Sequence, residues 1–442
     1  VFHYCAVHLK DIAHSARDID CALRAGFGWA QGPFETWAAA GWQMIATAIE
    51  EDIKAGKSLS PVSLPGWVFD GRVGVHQREG SWSAREEKII PRSGLAVYCR
   101  QYFPDRLLGE GEEAGITLTE TSAIRLWHTQ DDPAAEVAIL SFKSKLATIG
   151  PDVIEGIMQS IAIAERDHRA LVIWQPRGPF CAGANLKALQ PLLAAQDFAA
   201  LDAVVADFQR MSQRIKYAQI PVVAGVLGLA LGGGCEVLMH CARSVAALES
   251  YIGLVEPGVG LIPAGGGCKE FAVFAHQAAS RTANQDPFAF IAPVFQTIAM
   301  ATASKSASHA KVLGFLREAD AVVMHPQEVL FVAKRCALAL ADAAYRPPLP
   351  PRDIKVCGRD GIAALEMMLI NMREGGMISE HDYRVSRAVA VALCGGEVNT
   401  GERVDEAWLL AVERALFISL LKTEKTQARI AHMLDTGKPL RN

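Results

Sequence analysis

The sequence predicts an α/β fold, with stacked strand–helix units in the middle of the chain and helical regions on either side. Two observations carry this. Between residues 116 and 345, short apolar runs such as "EVAILSF", "ALVIW" and "IPVVAGV" alternate with longer amphipathic ones, the pattern of β-α units with parallel strands. On either side, residues 1–56 and the chain beyond the "PPLPP" stretch at 347–351 have mainly helical spacing.

In chain order, "DIDCALRAGFGW" places apolar residues at helical spacing behind an Asp, and "GPFETWAAAGWQMIATAIEEDIKAG" opens on Pro and closes on Gly. Trp29, Trp37 and Trp42 in this stretch read as packing residues. Residues 57–115 change character: "SLSPVSLPGW", "REGSWSAREEK" and "LLGEGEEAG" are rich in Ser, Gly, Pro and charge. They read as a linker with "GLAVYCR" as a strand candidate. From Ile116, "ITLTETSAIRLWH" alternates and "EVAILSF" is a strongly apolar strand. The helical runs "GPDVIEGIMQSIAIAERD" and "FAALDAVVADFQRMSQRIKYA" then separate the strands. After "PPLPP", residues 346–442 are read as helices with joints at "REGGM" and "CGGEVNTGE".

Bulk properties narrow the function classes. The 442 residues are 50% hydrophobic and 21% charged, with a formal net charge of −4. That balance gives no electrostatic footprint for nucleic acid. The longest apolar stretch, Ile220 to Leu231, is too short to span a bilayer. Ten cysteines stand singly, without a CxxC pair or a Cys/His cluster, so neither zinc nor a disulfide framework is expected. Reduced thiols point to the cytoplasm. The opening "VFHYCAVHLK" resembles no signal peptide, and the first Met is Met44. The expectation is therefore a piece of something longer.

Three glycine-containing loops stand out in the middle region: "FCAGANLK" at 180–187, "GLALGGGCE" at 228–236 and "VEPGVGLIPAGGGCKE" at 255–270. None has the G-x-G-x-x-G of a dinucleotide fingerprint, and no P-loop is present. Taken together they resemble the crotonase (enoyl-CoA hydratase/isomerase) superfamily. The first matches "F-x-A-G-A-D-[IL]-K" through Phe180, Ala182, Gly183, Ala184, Asn185, Leu186 and Lys187, with Asn185 in place of Asp. The second matches "G-x-A-x-G-G-G-x-E" through Gly228, Ala230, Gly232, Gly233, Gly234 and Glu236. The third sets Glu256 six residues before Ile262 and Pro263, followed by Gly265–Gly267. The flanks resemble a bacterial fusion of 3-hydroxyacyl-CoA dehydrogenase with enoyl-CoA hydratase, used in fatty-acid β-oxidation. Its N-terminal NAD-binding domain has no counterpart in this sequence.

The resemblance implies a crotonase-like ββα spiral core at 116–345. Before it come a helical region at 1–56, similar to the C-terminal domain of the dehydrogenase, and the linker at 57–115; a helical region at 346–442 follows. It implies hydration of trans-2-enoyl-CoA to 3-hydroxyacyl-CoA, with Δ3,Δ2-enoyl-CoA isomerisation or non-catalytic acyl-CoA binding as alternatives. Ala184 and Gly233 take the oxyanion-hole positions, where fixed main-chain dipoles stabilise an enolate. Glu236 would activate the water that adds to the β-carbon, and Glu256 would supply the α-carbon proton. Ala182, Gly183, Gly232 and Lys187 would contact the substrate, Lys187 through the CoA moiety. No cofactor is implied for this chain beyond the acyl-CoA substrate, and NAD belongs to the missing domain. A homo-oligomer, and association with a thiolase, are the partners the resemblance suggests. Cys181 and Cys235 flank the loops and read as small buried fillers.

Overall fold

The computed structural model describes residues 1–77, 79–102, 115–132 and 134–442. The chain divides into two compact units, Val1–Ala114 and Gly115–Asn442.

The first unit begins with three helices, α1 (Phe2–Ile12), α2 (Ala16–Phe27) and α3 (Pro33–Lys54). A three-stranded antiparallel sheet follows, β1 (His76–Gln77), β2 (Gly80–Ser83) and β3 (Lys88–Ile90). Pro at its first turn pre-sets α3 for helical φ. Buried Asp20 on α2 then accepts from the Phe34 and Glu35 N–H groups at that helix start. His76 Nε2, 2.7 Å from Asp20 Oδ2, braces the cap against the sheet. Trp37 and Trp42 stack with ring centroids 4.2 Å apart, and Trp37 Nε1 donates to the Trp42 carbonyl. Both are buried, as expected; Trp29 is exposed and touches only its neighbour Phe27 among the aromatic rings described. It sits beside the helix-ending Gly28, beyond the apolar stripe of α2.

The linker expected from 57 onward is, over much of its described length, part of this core. Leu64, Val68, Val75 and Ala84 share a buried cluster with Phe34, Trp37 and Trp42. Trp42 Nε1 donates to the Val68 carbonyl at 2.9 Å, and the Arg72 guanidinium lies 3.8 Å over the Trp82 ring. Polar composition hid this, because single apolar residues spaced among Ser, Gly and Pro suffice to anchor an irregular chain. "GLAVYCR" is not a strand but carries one helical turn, α4 (Ala96–Cys99). Its N–H groups bond back to Leu95 and Ala96 carbonyls rather than across to a partner strand. Most of "LLGEGEEAG" lies outside the described residues.

In the second unit, β4 (Ile116–Glu120), β5 (Ile124–His128) and β6 (Val137–Phe142) run antiparallel in sequence. Helix α5 (Pro151–Asp167) leads to β7 (Ala170–Trp174), and α6 (Leu186–Ala194) and α7 (Phe198–Lys216) lead to β8 (Val222–Leu231). The short α8 (Gly233–His240) leads to β9 (Arg243–Gly253). Then come α9 (Gly267–Ala279), α10 (Phe288–Ala299), α11 (Ala307–Val312), β10 (Ala321–Val323) and α12 (Val329–Asp342). The sheet order is β10-β9-β8-β7-β6-β5-β4, and every pairing from β6 to β10 is parallel. This is the crotonase-like α/β core with helical flanks. β6 and β7 are buried along their whole length, which is why they read as continuous apolar runs rather than alternating ones.

Beyond "PPLPP", β11 (Ile354–Lys355) pairs with β12 (Arg403–Val404). Helices α13 (Gly358–Glu374), α14 (Glu380–Leu393), α15 (Glu406–Leu421) and α16 (Glu424–Thr436) complete the chain. They do not form a core of their own. Leu365, Val389, Leu421 and Ile430 belong to the same buried cluster as Leu140, Ile173 and Val226 of the sheet. Apolar packing thus continues across the proline stretch.

Replacing Trp37 by Ala removes the centre of the aromatic stack and should destabilise the first unit by about 3–5 kcal/mol. Denaturant unfolding followed by tryptophan fluorescence measures this; a loss below about 1 kcal/mol would contradict the packing described.

Candidate active site

The three glycine loops meet where β8 ends and α8 begins. Each glycine of the 232–234 triplet has its own steric reason. Gly232, at φ +52° and ψ −125°, adopts a backbone reserved for glycine, and a Cβ on it would stand 3.1 Å from Glu256 Oε1. A Cβ on Gly233 would stand 2.8 Å from the Phe208 ring and 3.4 Å from the Ala184 nitrogen. One on Gly234 would stand 2.6 Å from the Cys181 carbonyl oxygen. The first loop lies close beside this turn: Cys181 N–H donates to Leu229, and Leu231 N–H donates back to Cys181. Across from it, Ile149 N–H donates to Gly183 and Asn185 N–H to Ile149. Asn185 makes no side-chain cap at the start of α6, so this backbone pairing holds the turn that the Asp-to-Asn departure put in question.

Two main-chain donors are thereby left over. Among the described residues, neither the Ala184 N–H nor the Gly233 N–H donates a hydrogen bond. Gly233 opens α8, where first-turn N–H groups have no partner within the helix and the helix dipole is positive. Both residues line a cavity of about 410 Å³. A carbonyl oxygen held between them would gain negative charge against fixed dipoles.

Glu236 and Glu256 line the same cavity. Glu236 is buried on α8, and its Oε1 accepts the Gly265 N–H at 2.8 Å and the Gly267 N–H at 2.9 Å. Burial pushes its carboxyl up to about 7, against the pull of those two donors. Glu256 lies in a 3₁₀ turn, Glu256–Val259, and its Oε2 is buried with no hydrogen-bond partner among the described residues. Burial, and then the charge of Glu236, hold its carboxyl well above the usual carboxylate range. The pair therefore divides its labour near neutral pH: Glu256 keeps its proton while Glu236 is poised to lose one.

The glycines of the third loop pack as tightly as those of the second. A Cβ on Gly265 would lie 2.5 Å from Glu236 Oε2, and one on Gly266 would lie 2.8 Å from the His240 ring. His240 Nδ1 is 2.6 Å from the Glu236 carbonyl oxygen, and its Nε2 is 3.0 Å from Lys269 Nζ. Lys269 is fully buried and reaches Glu270, and Glu406 at 3.2 Å. Lys216 joins both acids at 2.7 Å, and Tyr217 donates to Glu406. Burial pushes His240 down to about 3, with Lys269 adding to the effect, so it is a neutral link between α8 and the ion network.

Residues 134–284 match the family model described as enoyl-CoA hydratase/isomerase. The chain carries a crotonase superfamily domain. A Bacillus subtilis protein named "Probable 3-hydroxyacyl-CoA dehydrogenase" is 36% identical over 99% of this chain and 53% of its own length. A Rickettsia felis protein named "Putative fatty acid oxidation complex trifunctional enzyme" is 26% identical over 61% of this chain and 33% of its own. A human protein named "Methylglutaconyl-CoA hydratase, mitochondrial" is 37% identical over 40% of this chain and 52% of its own. The chain thus spans about half the length of the first of these relatives and a third of the second.

Of the site residues expected from sequence, Ala182, Gly183, Ala184, Gly232, Gly233, Glu236 and Glu256 all line the crotonase cavity. Lys187 does not; it is exposed on α6. Cys181 and Cys235 are fully buried, and burial raises both thiols, Cys181 to about 12, which leaves them inert as nucleophiles. Sequence reasoning missed Phe208, packed against Gly233 and Gly265, and Phe417, Met433 and Pro439 from much later in the chain, which also line the cavity. It also missed Glu413, whose only signal was a carboxylate inside the apolar helix "AWLLAVERALFISLL". Among the described residues no cluster of His, Cys, Asp and Glu could hold a metal ion. No helix among them is long and apolar enough to cross a membrane.

Lys269→Met would leave two buried acids, Glu270 and Glu406, sharing the single lysine Lys216. The expected cost is about 3–5 kcal/mol, seen as a lowered denaturation midpoint; an unchanged midpoint would mean that the buried ion network contributes nothing net.

Proposed function

We propose that this chain hydrates trans-2-enoyl-CoA to 3-hydroxyacyl-CoA, as a step of fatty-acid β-oxidation. The observation that carries the reading is the pair Glu236 and Glu256, buried at one cavity with two free main-chain donors. The enoyl thioester oxygen would lie between the Ala184 and Gly233 N–H groups, drawing electron density away from the β-carbon. Each such donor is typically worth about 3–4 kcal/mol in the transition state. Ionised Glu236 accepts a proton from water as its oxygen bonds to the β-carbon, and protonated Glu256 delivers a proton to the α-carbon of the enolate. The orphaned Oε2 of Glu256 supports this, because a buried carboxyl oxygen without a protein partner is suited to hold that water. Double-bond migration needs the same oxyanion site but a single proton carrier, so two buried carboxyls favour hydration. We assign this chain the hydration alone, in the cytoplasm. The 3-hydroxyacyl-CoA oxidation suggested by the Bacillus relative's name, for which the sequence resemblance implies NAD, is assigned to a longer parent polypeptide, in which homo-oligomer formation and thiolase contact would also belong.

Loss of the conjugated-thioester absorbance with 2-enoyl-CoAs of graded chain length tests the reading. Glu236→Gln and Glu256→Gln should each lower turnover by about 10²–10⁴-fold. If only one of them matters and 3-enoyl-CoA is converted instead, the isomerase reading replaces this one. Binding without turnover in the wild type would indicate a non-catalytic acyl-CoA site.

The pH profile follows from the carboxyl pair. Glu236 must be ionised to act as base, and its pKa is raised to about 7, so kcat/KM should fall as pH drops below about 7. A rate that stays flat down to about pH 5, where an ordinary carboxylate begins to titrate, would remove Glu236 from that role.

A further inference from the structure

Helix α9 presents main-chain N–H groups at its start that the helix itself cannot satisfy. Two carboxylates share them in alternation. Glu236 takes Gly265 and Gly267. Glu413, reaching in from α15, takes Gly266 at 3.0 Å through Oε2 and Lys269 at 2.5 Å through Oε1. Glu413 is fully buried and does not line the acyl cavity. The segment it grips is Gly265–Gly266–Gly267, the most conformationally free stretch a chain can offer. Its order at the site depends on being held from outside.

We propose that Glu413 is the positioning residue for Glu236: it locks the 265–267 turn from the face opposite the cavity, so that the Gly265 and Gly267 N–H groups point at the Glu236 carboxylate. Without it, the Gly266 and Lys269 N–H groups are orphaned in the interior, and the turn rotates to recover partners. Glu236 then loses the two donors that fix its Oε1. The oxyanion donors Ala184 and Gly233 sit on other loops and are untouched. A neighbouring contact acts in the same sense on the second glutamate: Thr426 of α16, itself 2.9 Å from His381 Nε2, donates to the Gly260 carbonyl at the end of the turn that carries Glu256. The helices beyond residue 346 are therefore part of the catalytic apparatus by position, not by contact with substrate.

The inference rests on the hydratase reading for its kinetic consequence but not for its structural one, and two measurements on the full chain keep them apart. The first compares kcat and KM of Glu413→Ala and Glu413→Gln with wild type for enoyl-CoA hydration. Alanine should lower kcat by about tenfold to 100-fold, the scale of a catalytic group misplaced by an ångström, with KM little changed. Glutamine keeps an acceptor oxygen and should recover part of the loss. The second follows the backbone amide resonances of Gly265 and Gly267 with pH. In wild type both should titrate together near pH 7 with Glu236, and in the alanine variant this joint titration should vanish. Unchanged amide titration in a folded Glu413→Ala variant, or a kcat loss that tracks only the unfolded fraction by circular dichroism, would overturn the proposal. Wild type that is inactive on enoyl-CoA but whose amide titration is lost on removing Glu413 would uphold the positioning role and defeat the hydratase reading.

Discussion

Everything at this site depends on one buried carboxylate accepting hydrogen bonds from a glycine turn. Glu236 could not remain close to ionisation in an apolar interior unless N–H donors replaced the water it has lost. Those donors come from a helix start thirty residues further along the chain, which ties the second glycine loop to the third. The third loop in turn needs its remaining donors satisfied, and that brings in α15. A single electrostatic requirement thus links the middle of the parallel sheet to helices near the end of the sequence. It also explains the density of glycine: wherever a carboxylate approaches the main chain this closely, a Cβ has no room.

The buried ions around Lys269 follow the same logic at one remove. Lys216 and Lys269 face Glu270 and Glu406, and the neutral ring of His240 separates this balanced set from Glu236. Although burial works against it, the charges of Lys269 and Lys216 hold Glu270 well below the usual carboxylate range. The charge of Lys269 also reaches Glu236, but as the smallest of the pulls on it. Glu236 and Glu256, a few residues away, are instead left short of countercharge, and burial raises both carboxyls. Two neighbouring clusters of acids therefore have opposite tendencies, set by which of them has a lysine within reach.

Much of this was legible in the sequence, for definite reasons. The parallel core was readable because its strands are buried on both faces and its helices are amphipathic. The residues that meet at the cavity were readable because three loops of fixed spacing, at 180–187, 228–236 and 255–270, carry a main-chain geometry that only small residues permit. What escaped were properties of side chains that meet from far apart. Glu413 looks like any acid on a helix until α15 is laid against α9. Phe417 and Met433 look like ordinary apolar positions until the cavity is closed. The expected linker failed for a related reason: Leu64, Val68 and Val75 are too sparse to form a pattern, yet each finds the tryptophan stack. Lys187 matched its motif in sequence, but nothing local dictates which way an exposed lysine leans.

Phe417, Met433 and Pro439 line the cavity from a stretch of chain well beyond the three glycine loops. Part of the cavity's apolar lining is consequently written in a different stretch of sequence from the Glu236 and Glu256 pair. Substitutions at those three positions could reshape the pocket and leave the carboxyl pair in place, while the glycine loops, each crowded by a carboxylate, a ring or a carbonyl, would tolerate almost no drift.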